Sequence, residues 1–275
     1  MSITVVKVGG GEGIELGSVI REIAGLVRAG ERVVLVHGGS HETNVLSEAL
    51  GHPPQTITSP NGHTSRRTDR RTLEIFEMVY CGKINKGVVE SLRAAGVDAI
   101  GLSGIDGGLW RASRKSAIRA VEEGRTVIIR DDLSGRVESV DDGLLRMLLD
   151  AGRTPVLTPP AITDDGVAVN VDADRAAAAT AIGLGASELL LLSNVRGVLR
   201  DPSDPGSLIG SVDGGSMDEL RESAQGRMKN KVLAAEEAIG GGVGRVVIGS
   251  ANGETPIAEA RRGAGTLIER EAARA

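Results

Sequence analysis

An open, mainly parallel α/β sheet with helices on both faces is the fold class that this sequence predicts. Three observations predict it. Short apolar runs rich in Val, Ile and Leu alternate with longer segments of helical period. Several runs are apolar throughout, as strands covered on both faces must be. Two of them end directly in glycines that precede a helix, the turn that joins strand to helix in such folds. The predicted strands are Ile3–Val8, Arg32–Val36, Asp98–Gly101, Thr126–Arg130, Pro155–Thr158, Leu189–Leu192 and Arg245–Ile248. The predicted helices are Glu15–Ala29, Thr43–Leu50, Asp69–Ala95, Asp141–Ala151, Ala173–Leu184 and Met228–Ile239. Two stretches break the rhythm. Gly51–Thr68, rich in Pro, Gly, Ser and Thr, predicts a hairpin or lid, and Gly104–Ser139 predicts short antiparallel strands with glycine turns. The Thr158–Pro160 loop suggests a boundary between an N-terminal lobe, 1–158, and a C-terminal lobe, 159–275.

The chain has 275 residues, enough for one large α/β domain or two joined lobes. Aromatic content is 1%, carried by Phe76, Tyr80 and Trp110, which leaves little to stack on bases. The net charge of -5 likewise argues against a nucleic-acid partner. No apolar run approaches a membrane span, and the expected N-terminal element is a strand rather than a signal peptide. The single Cys81 excludes an internal disulfide and a Cys-rich zinc site, and reads as a small buried apolar residue. A cytoplasmic location is expected.

Four short segments carry the chemistry. Lys7 stands near the end of a predicted strand and is followed by Gly9, Gly10 and Gly11. It is either an edge-strand lysine before a turn or a rigidly placed ammonium beside backbone donors that can approach an anion. His37-Gly38-Gly39-Ser40 repeats that design before the next helix. Two such ends on one crevice are more specific than either alone, because open sheets bind ligands outside the carboxyl ends of their strands. Asn170-Val171-Asp172-Ala173-Asp174 leads into an Ala-rich helix, where an aspartate serves as cap or as site residue. Gly226-Arg227-Met228-Lys229-Asn230-Lys231 opens another helix with cations where the dipole disfavours them. The phosphate-loop lysine motif, the protein-kinase catalytic loop, the Gly-x-Ser-x-Gly elbow and a histidine metal pattern are all absent.

Taken in order, Lys7 with its glycines, His37-Gly38-Gly39, Asn170 with Asp174, and Lys231 resemble the amino-acid kinase family over essentially the whole chain. Leu192-Ser193-Asn194-Val195-Arg196-Gly197 resembles that family's nucleotide-side strand and loop, with Asn194 where acetylglutamate kinases usually carry Asp. The segments Gly51-His52-Pro53-Pro54 and Ser65 through Lys83 look like the branch that acts on amino-group carrier proteins. Ser40, in place of a third glycine, points the same way.

The resemblance implies a carbamate kinase-like fold. It further implies ATP-dependent phosphorylation of a carboxylate, with Mg²⁺, on 2-aminoadipate or glutamate attached by its amino group to a small acidic carrier. Lys7 and Lys231 would neutralise the transferring phosphoryl group, and Asp174 would orient both. Gly9, Gly10, Ser193, Asn194 and Gly197, with the two lysines, would hold the nucleotide. Gly38, Gly39, Arg66 and Asn170 would hold the acyl substrate. Arg67, Arg70, Arg71 and Lys83 are either a solvated, ion-paired helix face or a docking patch for the carrier. Arg111, Arg114, Lys115 and Arg119 form a second candidate patch. A homodimer is expected, and no dedicated metal cage. The alternative enzyme is N-acetylglutamate kinase of arginine biosynthesis rather than a kinase of lysine biosynthesis. An alternative of another class is a non-catalytic homologue that binds an amino acid, against which the intact Lys7, Asp174 and Lys231 set argues.

Overall fold

The computed structural model describes residues 2–60, 64–122 and 124–270. In chain order its N-terminal elements are β1 (Ile3–Val8), α1 (Leu16–Arg28), β2 (Arg32–His37), α2 (Ser40–Ala49), β3 (Thr56–Thr58) and β4 (Thr64–Arg66). There follow α3 (Arg70–Glu77), a π-helical segment (Met78–Ile84), α4 (Asn85–Ala94) and β5 (Ala99–Ser103). An irregular antiparallel region holds β6 (Trp110–Arg114), β7 (Ile118–Glu122), β8 (Arg125–Ile129) and β9 (Gly135–Val140). Next come α5 (Asp142–Asp150), β10 (Thr154–Thr158), β11 (Ala161–Ile162), β12 (Ala168–Val169), α6 (Ala173–Leu184) and β13 (Glu188–Ser193). The chain continues through β14 (Ser211–Asp213), α7 (Asp218–Ser223), α8 (Met228–Gly240), β15 (Arg245–Ser250), α9 (Pro256–Arg261) and β16 (Thr266–Glu269).

The main sheet has eight strands in the order β14-β16-β15-β13-β1-β2-β10-β5. Its central pairings are parallel, and only the β15–β16 pairing is antiparallel. Every residue of β1, β10 and β13 is buried, which is why these strands read as largely apolar runs.

Strand alternation sorts their side chains into two cores. Val5, Val34, Val36, Leu189, Leu191 and Val246 pack with α5, α6 and α8 on one face. Val6, Val8, Leu35, Leu190, Leu192 and Val247 pack with α1, α4 and α9 on the other.

Around this frame the expected departures take definite form. Gly51–Thr68 contains the β3–β4 hairpin, with its tip at 61–63 outside the described residues. The predicted Thr126–Arg130 strand is β8, which pairs with β7 in a separate two-stranded ribbon and does not join the main sheet. The predicted helix Asp69–Ala95 is helical over residues 70–94, capped by Asp69 and Ala95, but changes to π-helix over Met78–Ile84. Across that segment Tyr80 stacks on Phe76 with ring centroids 3.7 Å apart. The elements β14, α7, α9 and β16 were not among the sequence expectations.

The smaller sheet, β12-β11-β6-β9, packs against α6 through Trp110, which is fully buried. Its indole Nε1–H donates to Thr180 Oγ1 at 3.1 Å. The ring leaves no room for a side chain at Gly104, whose Cβ would lie 2.6 Å from Trp110 Cε3. Trp110→Ala is therefore expected to lower unfolding free energy by about 3–5 kcal/mol. Urea titration followed by circular dichroism measures it, and a loss below about 1 kcal/mol would show this sheet to be loosely attached.

Candidate active site

The site begins with strand parity. Lys7 shares its face with Val5, so its side chain rises toward α6 and α8 rather than toward α1. α6 supplies Asp174 in its first turn, and α8 supplies Lys231. Lys7 Nζ lies 2.5 Å from Asp174 Oδ1. Lys231 Nζ lies 2.9 Å from Oδ2 and 3.1 Å from Oδ1 of the same carboxylate. The three side chains are at most 9% exposed. Burial alone would raise the Asp174 carboxyl, but its two ammonium partners hold it far below the usual carboxylate range. Burial pushes the Lys7 ammonium down, Asp174 opposes that, and Lys231 adds to it.

Asp172 makes this arrangement rigid. Its Oδ1 accepts from the Asp174 and Arg175 backbone N–H groups as the cap of α6, and its Oδ2 accepts from Asn230 Nδ2 at 2.8 Å. The starts of α6 and α8 are thereby tied together. The alternative uses of the two aspartates thus separate: Asp172 caps, and Asp174 pairs with the lysines.

The two glycine turns meet beside the triad. Val8 pairs with His37, so the chain leaves both strands at the same height. A Cβ on Gly10 would lie 2.0 Å from Gly39 N, and one on Gly39 would lie 2.9 Å from Tyr80 Cε2. Gly10 O accepts from His41 N–H at 2.8 Å and from Ser40 Oγ at 3.1 Å, which ties the first turn to the start of α2. His37 is buried, and burial pushes its imidazole down to about 4. It is neutral at physiological pH, with Nδ1–H on Gly38 O and Nε2 accepting from Asn85 Nδ2.

The remaining expected residues fall into three groups. On the acyl side, Arg66 donates through Nη2 to Asn44 Oδ1 and Ser40 O, while its buried Nη1 has no partner among the described residues. Burial lowers the Arg66 guanidinium, with Tyr80 opposing and Arg227 adding to the effect. Asn170 Nδ2 donates to Thr68 Oγ1 at 3.1 Å, two residues along from Arg66. Asp132, which sequence reasoning missed, fixes that junction through Thr68 N–H and Ser134 N–H.

On the nucleotide side, Ser193 lies against Gly9 with a buried Oγ that has no partner among the described residues, and Asn194 Nδ2 reaches Glu12 O at 3.5 Å. Gly197 stands apart from that turn: a Cβ there would lie 2.8 Å from Thr266 Oγ1.

In the surface group, Arg67 pairs with Asp131, Arg70 and Arg71 with Glu74, and Lys83 with Glu42. Arg70, Arg71 and Arg114 line a shared groove with Asp131. Cys81 is half-buried, and burial pushes its thiol up to about 11.

Residues 2–250 match the family model for the amino acid kinase family. The chain belongs to that family. A LysW-aminoadipate kinase of Deinococcus radiodurans is 54% identical over 268 residues, covering 98% of this chain and 92% of that protein. A LysW-aminoadipate kinase of Thermus thermophilus is 50% identical, covering 96% of this chain and 99% of that one. Carbamate kinase from Giardia lamblia superposes with a TM-score of 0.69 at 16% identity, covering 98% of this chain and 99% of that one, a likeness of fold. The expected fold class and family both stand.

Asp174→Asn should cost about 3–5 kcal/mol at neutral pH, because two buried ammonium groups lose their counterion. The sign of the pH dependence follows from the depressed carboxyl. Its stabilisation is complete above the unfolded value near ~3.9 and is lost as pH falls through the lower folded value. The gap between variant and wild type in denaturant unfolding should therefore hold constant down to about pH 4 and narrow below it. A gap that closed between pH 7 and 5 would contradict this assignment.

Proposed function

We propose that this kinase phosphorylates the side-chain carboxylate of 2-aminoadipate, or of glutamate, while the acid hangs by its amino group from a small acidic carrier protein. The observation that carries the reading is the buried Lys7–Asp174–Lys231 triad beside the two crossed glycine turns, in a chain half identical to LysW-aminoadipate kinases. A carboxylate is already ionised at neutral pH and needs no general base. The obstacle is repulsion between two anions, which a site answers with fixed positive charge and backbone donors.

In this reading Lys7 and Lys231 face the transferring phosphoryl group, and Asp174 holds them in place. The Gly10 N–H serves the phosphate oxygens and the Gly39 N–H the acyl substrate, while Gly9 and Gly38, whose N–H groups donate to Leu192 O and Val8 O, shape the two turns on the nucleotide and acyl sides. Ser193 and Asn194 serve the nucleotide, with Gly197 as support for that loop. Arg66, whose buried Nη1 has no partner among the described residues, takes the acid's α-carboxylate, with Asn170 beside it. Residues 1–158 thus supply most acyl contacts and 159–275 most nucleotide contacts.

Mg²⁺ fits this site only as a passenger of the nucleotide. Asp174 is occupied by the lysines and Asp172 by its cap and Asn230, and no metal-holding group of three His, Cys, Asp or Glu occurs among the described residues. When bound, Mg²⁺ neutralises charge on the nucleotide phosphates. No helix among the described residues is long and apolar enough to cross a membrane. The family likeness supports a cytoplasmic homodimer, which sedimentation tests.

Arg67, Arg70, Arg71 and Lys83 are our candidates for docking the carrier. Each is ion-paired within the chain, so an acidic partner would have to share or exchange those pairs.

Lys7→Ala and Lys231→Ala should each lower kcat by about 10²–10³-fold, with a much smaller effect on KM for ATP. Near-normal kcat in either variant would remove that lysine from the reaction. Substrate choice is tested by kcat/KM on carrier-bound aminoadipate, carrier-bound glutamate and free N-acetylglutamate. The carrier-bound acids should be strongly preferred, and equal use of N-acetylglutamate would favour the acetylglutamate kinase reading. Reversing charge at Arg70 and Arg71 should weaken carrier use most at low salt, where screening is least, and leave ATP affinity unchanged.

A further inference from the structure

Arg227 has no role in the arrangement described so far. It is exposed and stands immediately before α8, a helix whose first turn contains no acidic residue. A cation there opposes the helix dipole. Its guanidinium has neither hydrogen bond nor ion pair with a described residue. Yet it is not directed to open solvent away from the site. A Cβ built on Gly11 would lie 3.8 Å from Arg227 Nη1 and 4.0 Å from Asn194 Nδ2, so the arginine lies across the outer side of the glycine turn. Its charge also bears on Arg66 and Tyr80, on the acyl side. Two guanidiniums with no carboxylate partner among the described residues therefore flank the crevice, Arg66 beside the start of α2 and Arg227 beside Gly11.

The charge of the triad explains why another cation is needed. Lys7 and Lys231 share Asp174, so together the three carry one net positive charge. The reaction brings a carboxylate against the terminal phosphate. The carboxylate oxygen forms a bond to the γ-phosphorus, the bond from that phosphorus to the bridging oxygen breaks, and its electron pair stays on ADP. No proton moves. Negative charge spreads over the three equatorial oxygens in transit, and a planar guanidinium can bind two of them at once.

We propose that Arg227 is a catalytic residue of this transfer, closing over the Gly9–Gly11 turn to contact the phosphoryl group as it passes to the carboxylate. This rests on the kinase reading above and adds to it a cation that the triad does not contain.

The test compares Arg227→Gln and Arg227→Lys with wild type. Because Arg227 is exposed, both variants should keep the wild-type melting temperature. Arg227→Gln should lose about 10²-fold or more in kcat, while its affinity for ADP changes by less than about threefold. Its affinity for ADP with magnesium and aluminium fluoride, a mimic of the phosphoryl group in flight, should fall in parallel with kcat. Arg227→Lys should recover only part of each loss, since an ammonium lacks the planar fork.

A kcat within about threefold of wild type would overturn the proposal. So would a loss confined to KM for the carrier-bound acid with the aluminium fluoride affinity intact, which would assign Arg227 to the acceptor's carboxylates. The nucleotide titrations need no carrier. Failure of wild type on carrier-bound acids would therefore defeat the substrate reading, and the Arg227 comparison would still run on N-acetylglutamate.

Discussion

Asp174 holds two ammonium groups in a place from which water is largely excluded, and most of the architecture serves that contact. Each buried lysine would be costly alone, and the shared carboxylate offsets much of that cost. The three groups come from a strand and two helices far apart in sequence, so the contact constrains how α6 and α8 sit on the sheet. α6 is built mainly of alanines on its buried side, namely Ala176, Ala177, Ala178 and Ala181. Small side chains let it lie close over β1, near enough for Lys7 to reach its first turn. The Asp172–Asn230 hydrogen bond then locks the two helix starts together. A slip of β1 by one residue would turn Lys7 to the opposite face, toward α1, and dissolve the site.

The same economy appears at the glycines. Gly10 and Gly39 bring two backbone segments together so closely that neither position admits a side chain. Their N–H groups are then available as donors that need no protonation step. His37, which leads into the second turn, is withdrawn from proton chemistry by its two fixed partners, Gly38 O and Asn85. Its task is to hold the second turn. That suits a reaction in which an anion attacks an anion and nothing must be deprotonated.

Much of this was legible in the sequence because burial on both faces writes an unmistakable signature. β1, β2, β10, β13 and β15 were readable as apolar runs, and α6 from its cap and its alanines. Lys7 and Lys231 were readable because a cation beside glycines, or at a helix start, conflicts with local preference, whereas Asp174 was one of two possible caps whose role came only from the family resemblance. What stayed hidden depends on contacts through space. β14 is a short edge strand whose residues resemble loop, and β16, though Ile268 lies in the core, has only four residues and shows no clear period. The π-helical segment at Met78–Ile84 has the composition of ordinary helix. Asp132 and Asn85 act through hydrogen bonds to residues 64 and 48 positions away in the chain, and no periodicity encodes such a partner. Arg227 was visible as one of several cations at the start of α8, but its position over Gly11 was not.

The strand order also has a consequence for synthesis. β1 lies between β2, which follows it almost at once, and β13, which is made much later. During translation one edge of a largely apolar strand must therefore wait, unpaired, until more than half of the chain has emerged. Exposed edges of this kind attract foreign strands. Lys7 puts a charge near the carboxyl end of that waiting strand, where a stray partner would have to bury an ammonium with no counterion. The residue that completes the site at the end of folding thus also discourages misassembly at its start.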